Sequence, residues 1–522
     1  MDRMEISMQT SKRAIFISWA ILLCSLHLVA QAGPPASGTA ARVQQVPLSG
    51  RQSANIVSTQ QSTSPGGGSS TSTISTSIQV EGAYQGSAPG PNPVGPTITL
   101  TLQDAIERGL RYNLGMVSAN TSLRQVRAER LAALSQLLPN VNAGVNMTEQ
   151  KTDLQALGLS NSTLVGLPFA FPTTVGPFHY YDARGTAAQD VFDLTAMHNY
   201  RSAKELQRAS ELSAQDARQL VVLAVSGEYL RVLASTALVD SQVAQVQYAQ
   251  ASYNQAAAQH RAGTKALIDA ERSLVQLQTE QQRLTSDKAD LAKQKLSLAR
   301  VIGLPLSTEL TLCEKLSPNP ATLLPLDETI QRGVAQRDDL KSSEAQLRAA
   351  EQALKAALAE RIPSVSVNGY YGIEGVTPTR GGNGIFGATG SINVPVWQGG
   401  HITSDVQQAK AAVDQRRAEY EDQRGSVEMD IRNAYIDVNV ANQQVSVAEN
   451  NRKLALDTLR QSQDRFAAGV ADSVEVVQSE QSLAAADLDY VNSLYSQDLA
   501  RIGLARATGD ADQDIPGLLK GK

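Results

Sequence analysis

The sequence predicts an internally duplicated α+β membrane fold, in which each copy supplies a pair of strands and a set of long antiparallel helices. Three observations lead there. Leu100, Leu102, Ile106, Arg108, Gly109, Leu123, Arg124, Leu134, Pro139 and Val141 recur 224 positions later as Leu324, Leu326, Ile330, Arg332, Gly333, Leu347, Arg348, Leu358, Pro363 and Val365. A second set, including Arg218, Val221, Tyr229, Val232, Gly263 and Gly303, returns at an offset of 206 as Arg424, Val427, Tyr435, Val438, Gly469 and Gly509. Alternating apolar stretches interrupt helical sequence at matching places in both copies. A duplicated unit sets the architecture before any motif is read. The change of offset puts about 18 extra residues in the first copy, between Gly144 and Asp216.

The chain opens with Arg3, Lys12 and Arg13, an apolar run from Ala14 to Val29, and Ala30-Gln31-Ala32 before Gly33. Basic residues, a short apolar run and a small-x-small site make 1–32 a secretory signal peptide. The run is shorter than the roughly 20 residues that span a bilayer, which disfavours an uncleaved anchor. Cys24 lies within it, but Leu23 before it is too large for lipoprotein-type processing. With the leader gone, Cys313 is the last cysteine, so no intrachain disulfide or cysteine metal cluster is available. Residues 33–97 are rich in Gly, Pro, Ser, Thr and Gln around Ser64-Pro65-Gly66-Gly67-Gly68-Ser69-Ser70-Thr71. Such a segment buries too little apolar surface to offset ordering its backbone and is expected to be disordered. The first repeat then spans 98–315 and the second 316–510, with 511–522 as a tail.

Each repeat reads in the same order. A helix runs from Leu102 to Leu137, and again from Leu326 to Arg361, stopped by Pro139 and Pro363, whose rings have no place in a helix interior. Strands follow. Val141, Ala143, Val145 and Met147 alternate with polar residues in one copy, as Val365, Val367, Gly369, Tyr371 and Ile373 do in the other. The second loop, Gly375 to Gly384, is short; the first, from Gln150 to Asp182, is long and carries Phe169, Phe171, Phe178, Tyr180 and Tyr181. Returning strands are expected from Gly185 to Phe192 and from Ile385 to Trp397, the latter with Phe386, Ala388, Gly390, Ile392, Val394 and Val396 on one face.

Helices then run from Leu194 to His260 and from Ile402 to Ala467. In the second, Ile431, Tyr435, Val438, Asn442 and Val445 form a heptad-like seam with a polar residue on it. Gly263 and Gly469 break these helices, and third helices return over Ala266–Ile302 and Val474–Thr508. About 66 residues at 1.5 Å each make a rod of roughly 100 Å. Two helices of about 36 residues, end to end, span about the same length. A long helix flanked by half-length ones is a coherent antiparallel bundle, and an insertion would shift the seam of such a packed rod.

Composition removes several functions. A net charge of −5, with 19% charged and 4% aromatic residues, argues against a nucleic-acid partner. The five histidines, among them His198, His260 and His401, have no metal-ligand spacing. Gly263-Thr264-Lys265 lacks the earlier glycine of a phosphate loop and sits between helices. Neither an enzyme nor a cofactor is expected.

Four strands cannot close a membrane barrel, and an open edge in lipid leaves backbone groups unpaired. Closure therefore demands several chains, and a trimer supplies twelve strands and twelve helical rods. The alternative is a soluble sheet capping a helical bundle.

The duplicated Leu-x-x-Ala/Thr-Ile-x-Arg-Gly opening, the Leu-Pro-Asn-Val and Ile-Pro-Ser-Val junctions, Pro395-Val396-Trp397-Gln398-Gly399-Gly400, and Arg465-Phe466-Ala467-Ala468-Gly469 before Val474-Glu475-Val476-Val477 together resemble TolC-like outer-membrane efflux proteins. The resemblance covers residues 98 to 510. It implies a homotrimer with a twelve-stranded barrel in outer-membrane lipid and a helical tunnel through the periplasm. It also implies docking to a periplasmic adaptor, or membrane fusion protein, coupled to an inner-membrane transporter. The resemblance makes the hairpin tips, with Gly263, Gly469 and Phe466, the periplasmic entrance and adaptor contact. Asp269 and Glu475 hold equivalent places there, and Glu475 matches a position whose carboxylates line the closed aperture. Three such carboxylates around a threefold axis would attract cations. The family has a second carboxylate where this chain has Gln478, and a gating arginine where it has Ala471; Arg272 and Lys265 lie near the other tip. Tyr370, Tyr371, Phe386 and Trp397 are expected as a membrane-interface girdle, or as packing between strands and helix junction. A periplasmic coiled-coil adaptor without a pore is the competing reading.

Overall fold

The computed structural model describes residues 82–88, 90, 97–156, 172–318, 323–377 and 381–515. All of them lie in the larger of the two units into which the chain divides, residues 49–522. The predicted leader, Cys24, the Ser64–Thr71 tract, Phe169, Phe171 and the end of the tail lie outside the described residues.

The first repeat contains strand β1 (Thr97–Leu100), helices α1 (Leu102–Tyr112) and α2 (Leu114–Ser135), strands β2 (Asn140–Asp153) and β3 (Thr174–Phe192), helices α3 (Leu194–Arg261) and α4 (Leu267–Val301), and strand β4 (Glu309–Leu312). The second contains α5 (Leu326–Gln336), α6 (Asp338–Ala359), β5 (Ser364–Gly375), β6 (Asn383–Asn393), α7 (His401–Ala467) and α8 (Ser473–Thr508), followed by the single turn α9 (Ala511–Asp514). The duplicated order is as expected, and α3 and α7 are unbroken over 68 and 67 residues. Ile431, Val438 and Val445 are buried along the predicted seam, and Asn442 there accepts a hydrogen bond of 2.8 Å from Gln497.

Four expectations are corrected. The opening helix of each repeat is two helices, broken at Asn113 and at Arg337. Thr101 starts α1 with a capping box, its hydroxyl accepting from the Asp104 amide while Asp104 accepts from the Thr101 amide at 3.3 Å. The Asn113 amide still donates to Gly109 at 2.8 Å, but its side chain caps α2 by accepting from the Gly115 amide at 2.9 Å. Its side-chain nitrogen donates to the Tyr84 and Val301 carbonyls, so a fully buried amide is satisfied throughout.

Second, six strands are present among the described residues rather than four, because β1 pairs in parallel with β4. Four residues are too few to show a period. Third, residues 82–88 are not disordered: Gly82–Gln85 is a turn of 3-10 helix, and Ser87 bridges to Asn113. Fourth, β3 begins at Thr174, so Phe178, Tyr180 and Tyr181 belong to a strand and not to the loop. Conversely β6 stops at Asn393, short of Pro395, which has no N–H to give a ladder.

Strands β2, β3, β5 and β6 form one antiparallel sheet in that order, the second strand of one copy pairing with the first of the other. The main core lies beside the β1–β4 pair, where Leu100, Leu102, Ile106, Val221, Val225, Leu230, Leu298, Ile302, Leu310, Leu499 and Ile502 pack together. Tyr229 reaches into it and donates to the Leu100 carbonyl at 3.1 Å, with the Glu314 carboxylate also in contact. The most apolar stretch of α3 is 78% buried, which accounts for its hydropathy without a membrane around it.

Helices α4 and α8 end alike, at Gly303 and Gly509, with φ of 73° and 86°. A Cβ on Gly303 would lie 2.6 Å from Cβ of Tyr112, and one on Gly509 would lie 3.2 Å from the Arg337 amide. Each third helix therefore ends against the break in the opening helix of its own repeat.

Candidate functional site

The two helical tips are built alike. Gly263 and Gly469 adopt φ of 74° and 77°, and no atom lies within 4 Å of where a Cβ would be. Glycine is needed there for the left-handed turn, not for room. The following residues fold back: Thr264 donates its amide to Gln259 and Val470 to Arg465, both at 3.0 Å.

Phe466, expected as a contact for a partner, is 2% exposed and packs with Ala256, Ala270, Leu459, Val476 and Leu483. Its ring joins the two hairpins and is not offered outward. The Lys265 ammonium lies 5.3 Å from the centre of that ring and donates to the Ala471 carbonyl at 2.9 Å.

Asp269 and Glu475, equivalent in the duplication, have different partners. The Ser473 hydroxyl donates to Asp269 at 2.7 Å while Arg272 donates to Ser473 at 3.1 Å, so this trio ties α4 to the start of α8. Glu475 instead accepts from Arg465 at 2.9 Å across its own turn, and Asp472 caps α8 by accepting the Glu475 amide. Gln478 is exposed one turn further on. Ser473 and Arg465 are the residues that sequence reasoning missed; both depend on how the turns fold back, and only the nearness of Arg465 to Gly469 hinted at it.

Behind the tips, carboxylates enter the bundle interior. Glu280 accepts from Gln242 at 2.6 Å, Gln276 at 2.7 Å and Arg283 at 3.0 Å. Glu480, 4% exposed, accepts only from Ser252 at 2.5 Å on one oxygen, and burial pushes its carboxyl up. Asp487 is held by Arg452 at 2.6 Å and by Ser241 and Gln245. Deeper in α8, burial pushes Asp498 up to about 7, with Arg501 at 3.7 Å too far for a hydrogen bond.

At the other end the sheet register separates two faces. Val141, Ala143, Val145 and Met147 of β2 stand beside Ala187, Gly185, Ala183 and Tyr181 of β3, and Tyr371 stands between Gly185 and Phe386. Val145, Met147, Tyr371, Phe386 and Ile392 are 68–80% exposed and make an apolar face open over most of its length, although Tyr181 on the same face is only 6% exposed. The opposite face carries Asn142, Asn146, Asp182, Arg184, Thr186, Asn368, Tyr370 and Glu374. Arg184 donates to Asp182 at 2.7 Å and lies 5.0 Å from the centre of the Tyr370 ring. The four expected girdle aromatics are therefore not one set. Tyr371 and Phe386 share the apolar face, Tyr370 stacks on the polar one, and Trp397 lies beyond β6, 87% exposed.

The profile of a family described as outer membrane efflux protein matches residues 105–304 and 329–510. The toluene efflux pump outer membrane protein TtgF of Pseudomonas putida is 23% identical over 431 residues, covering 79% of this chain and 84% of that protein. The CmeC outer membrane channel of Campylobacter jejuni superposes with a TM-score of 0.68 at 17% identity, over 78% of this chain and 86% of that one. The outer membrane protein VceC of Vibrio cholerae does so with a TM-score of 0.65 at 18% identity, over 78% and 96%.

Proposed function

This chain belongs to the outer membrane efflux protein family, and from that membership we propose that it is a passive outer-membrane duct, exported through a cleaved leader and assembled as a homotrimer. The observation that carries the reading is the four-stranded sheet with one apolar face, one polar face and two unpaired edges, β2 and β6. Such edges are untenable in lipid unless another copy pairs with them. Three copies make a twelve-stranded barrel with Tyr371 and Phe386 toward lipid and Arg184, Asp182 and Tyr370 toward the lumen. The helices continue it as a tunnel in the periplasm, and the tips around Gly263 and Gly469 meet a periplasmic adaptor that couples the duct to an inner-membrane transporter. Cargo selection and energy then belong to the transporter, and the chain needs no catalytic residue or cofactor. Asp269, Arg272, Glu475 and Gln478 border the aperture.

Purified protein in detergent is expected to run as a trimer and to give stepwise conductance in planar bilayers. A monomer, or a trimer without conductance, overturns the reading and favours the pore-free periplasmic adaptor, which carbonate would extract from membranes.

A further inference from the structure

Helix α7 begins at His401, and one turn later carries Asp405; their side chains approach to 2.9 Å, between Nδ1 and Oδ2. Glu360, which ends α6, brings a third carboxylate or imidazole group to the same place, and one donor atom from each of the three lies within 4.8 Å of the others. Oδ2 of Asp405 is closed to solvent and accepts no hydrogen bond, although the imidazole nitrogen is so near. At 2.9 Å the imidazole and Asp405 make an ion pair when the ring is protonated, and a divalent ion taking the place of that proton would meet the same two atoms. Zinc binds such nitrogen and oxygen donors at about 2.0–2.2 Å, so donors on a shared ion stand roughly 3–4 Å apart.

The duplication supplies a comparison inside the chain. Carried back by the two offsets, the three positions in the first repeat are Gln136, Thr195 and Asn199. That repeat makes the same junction of helix, strand pair and helix with none of these ligands. The Glu360–His401–Asp405 set is therefore not a requirement of the shared scaffold.

We propose that Glu360, His401 and Asp405 bind a divalent transition-metal ion of the zinc type, which staples the end of α6 to the first turn of α7 at the base of the β5–β6 hairpin. The imidazole selects against magnesium and calcium, which take oxygen ligands, and two carboxylates on opposite helices balance the charge of the ion. His401 is 69% exposed, leaving an open side for water as the remaining ligand. The inference is independent of the export reading, because it concerns a junction and not the lumen or the tips.

The test uses the full-length protein in detergent, stripped with chelator and titrated calorimetrically with Zn2+. One Zn2+ per chain is expected, with His401→Ala and Asp405→Asn each weakening it at least tenfold. His198→Ala, at a histidine bonded to Gln352, should leave it unchanged. Substitution of an exposed His401 should preserve the gel-filtration profile, and Co2+ should give a ligand-field absorption band that His401→Ala abolishes. No saturable binding by the parent protein, or equal binding by His401→Ala, overturns the proposal.

Discussion

Asn113 and Arg337 break the opening helices of the two repeats at positions 224 residues apart, and they satisfy the break by different means. Asn113 does so with a neutral amide shared among Gly115, Tyr84 and Val301, while Arg337, 5% exposed, donates to Asp339 at 2.6 and 3.0 Å and to Asp430 at 2.9 Å. The same joint is thus neutral in one copy and ionic in the other. Arg337→Met strands two carboxylates and should cost about 3–5 kcal/mol, whereas Asn113→Ala should cost about 1–3 kcal/mol. Denaturant unfolding in detergent measures both; equal costs would mean that the ion pairs are no more than an equivalent of the amide.

The glycines separate strain from crowding. Gly263 and Gly303 have nearly the same φ, but only Gly303 has a neighbour, Tyr112, where a Cβ would go. Gly263→Ala should cost about 1–2 kcal/mol, and Gly303→Ala about 2–5 kcal/mol. A larger loss at Gly263 would require a contact at the tip that this chain does not itself make.

Stability should rise on mild acidification. The Asp498 carboxyl is raised by burial to about 7 from an unfolded value near 4, so between those values the native state holds a proton that the unfolded state has released. This contribution is present below about pH 4 and is lost as pH rises through about 7. Glu480, raised by burial as well, acts in the same direction. The melting temperature should therefore be higher at pH 5.5 than at pH 8, and Asp498→Asn should flatten the difference. An unchanged slope in that variant would remove Asp498 as its source.

At the second hairpin tip, Arg465 and Glu475 are both partly exposed, and a pair of this kind is worth about 0–1 kcal/mol of stability. Arg465→Ala should therefore leave folding intact while raising cation preference, and Glu475→Gln should lower it. Reversal potentials across a salt gradient report both. The same potential in all three proteins would place the pair away from the ion path.

For the proposed trimer, the pairing of β3 with β5 between the repeats predicts the register in which β6 of one copy would meet β2 of the next. Val141 and Val365 are duplicated positions that pair with Ala187 and Ile392, so Ile392 is the counterpart of Ala187. Ala187 pairs with Gly369, whose counterpart is Val145. In a Cys313→Ser background, Val145→Cys with Ile392→Cys should form covalent oligomers on oxidation, and neither alone should. Efficient crosslinking of a pair shifted by two residues instead would disprove the register.

What could be read from the sequence was what repeats at short range. The alternation of β2 and β5, the buried Ile431, Val438 and Val445 of the seam, and the left-handed turns at Gly263 and Gly469 each reflect a local rule and stand where they were expected, whereas β3 begins earlier and β6 ends earlier than expected. The breaks at Asn113 and Arg337 did not show because the glycines near them, Gly109, Gly115 and Gly333, lie within the helices and not at the breaks. Asn113 is satisfied by Val301, 188 residues away, and Arg337 by Asp430, 93 residues away. At the tips, the equivalence of Asp269 and Glu475 was visible, but Ser473 and Arg465 gain their roles only when the turns fold back. Phe466 was expected at an adaptor contact from the resemblance, and nothing in its own helix shows the second hairpin that covers it.

Trp397, lying bare beyond β6, gives the protein an optical property. The sequence has two tryptophans, and the other, Trp19, falls in the predicted leader. A processed chain would then hold a single indole, so its fluorescence would come from one level, the rim where strands give way to helices. The emission colour of the unlabelled protein would report whether that rim is bathed in water or in headgroups, and quenchers placed at graded depths in lipid would turn it into a ruler for how deeply the chain is seated.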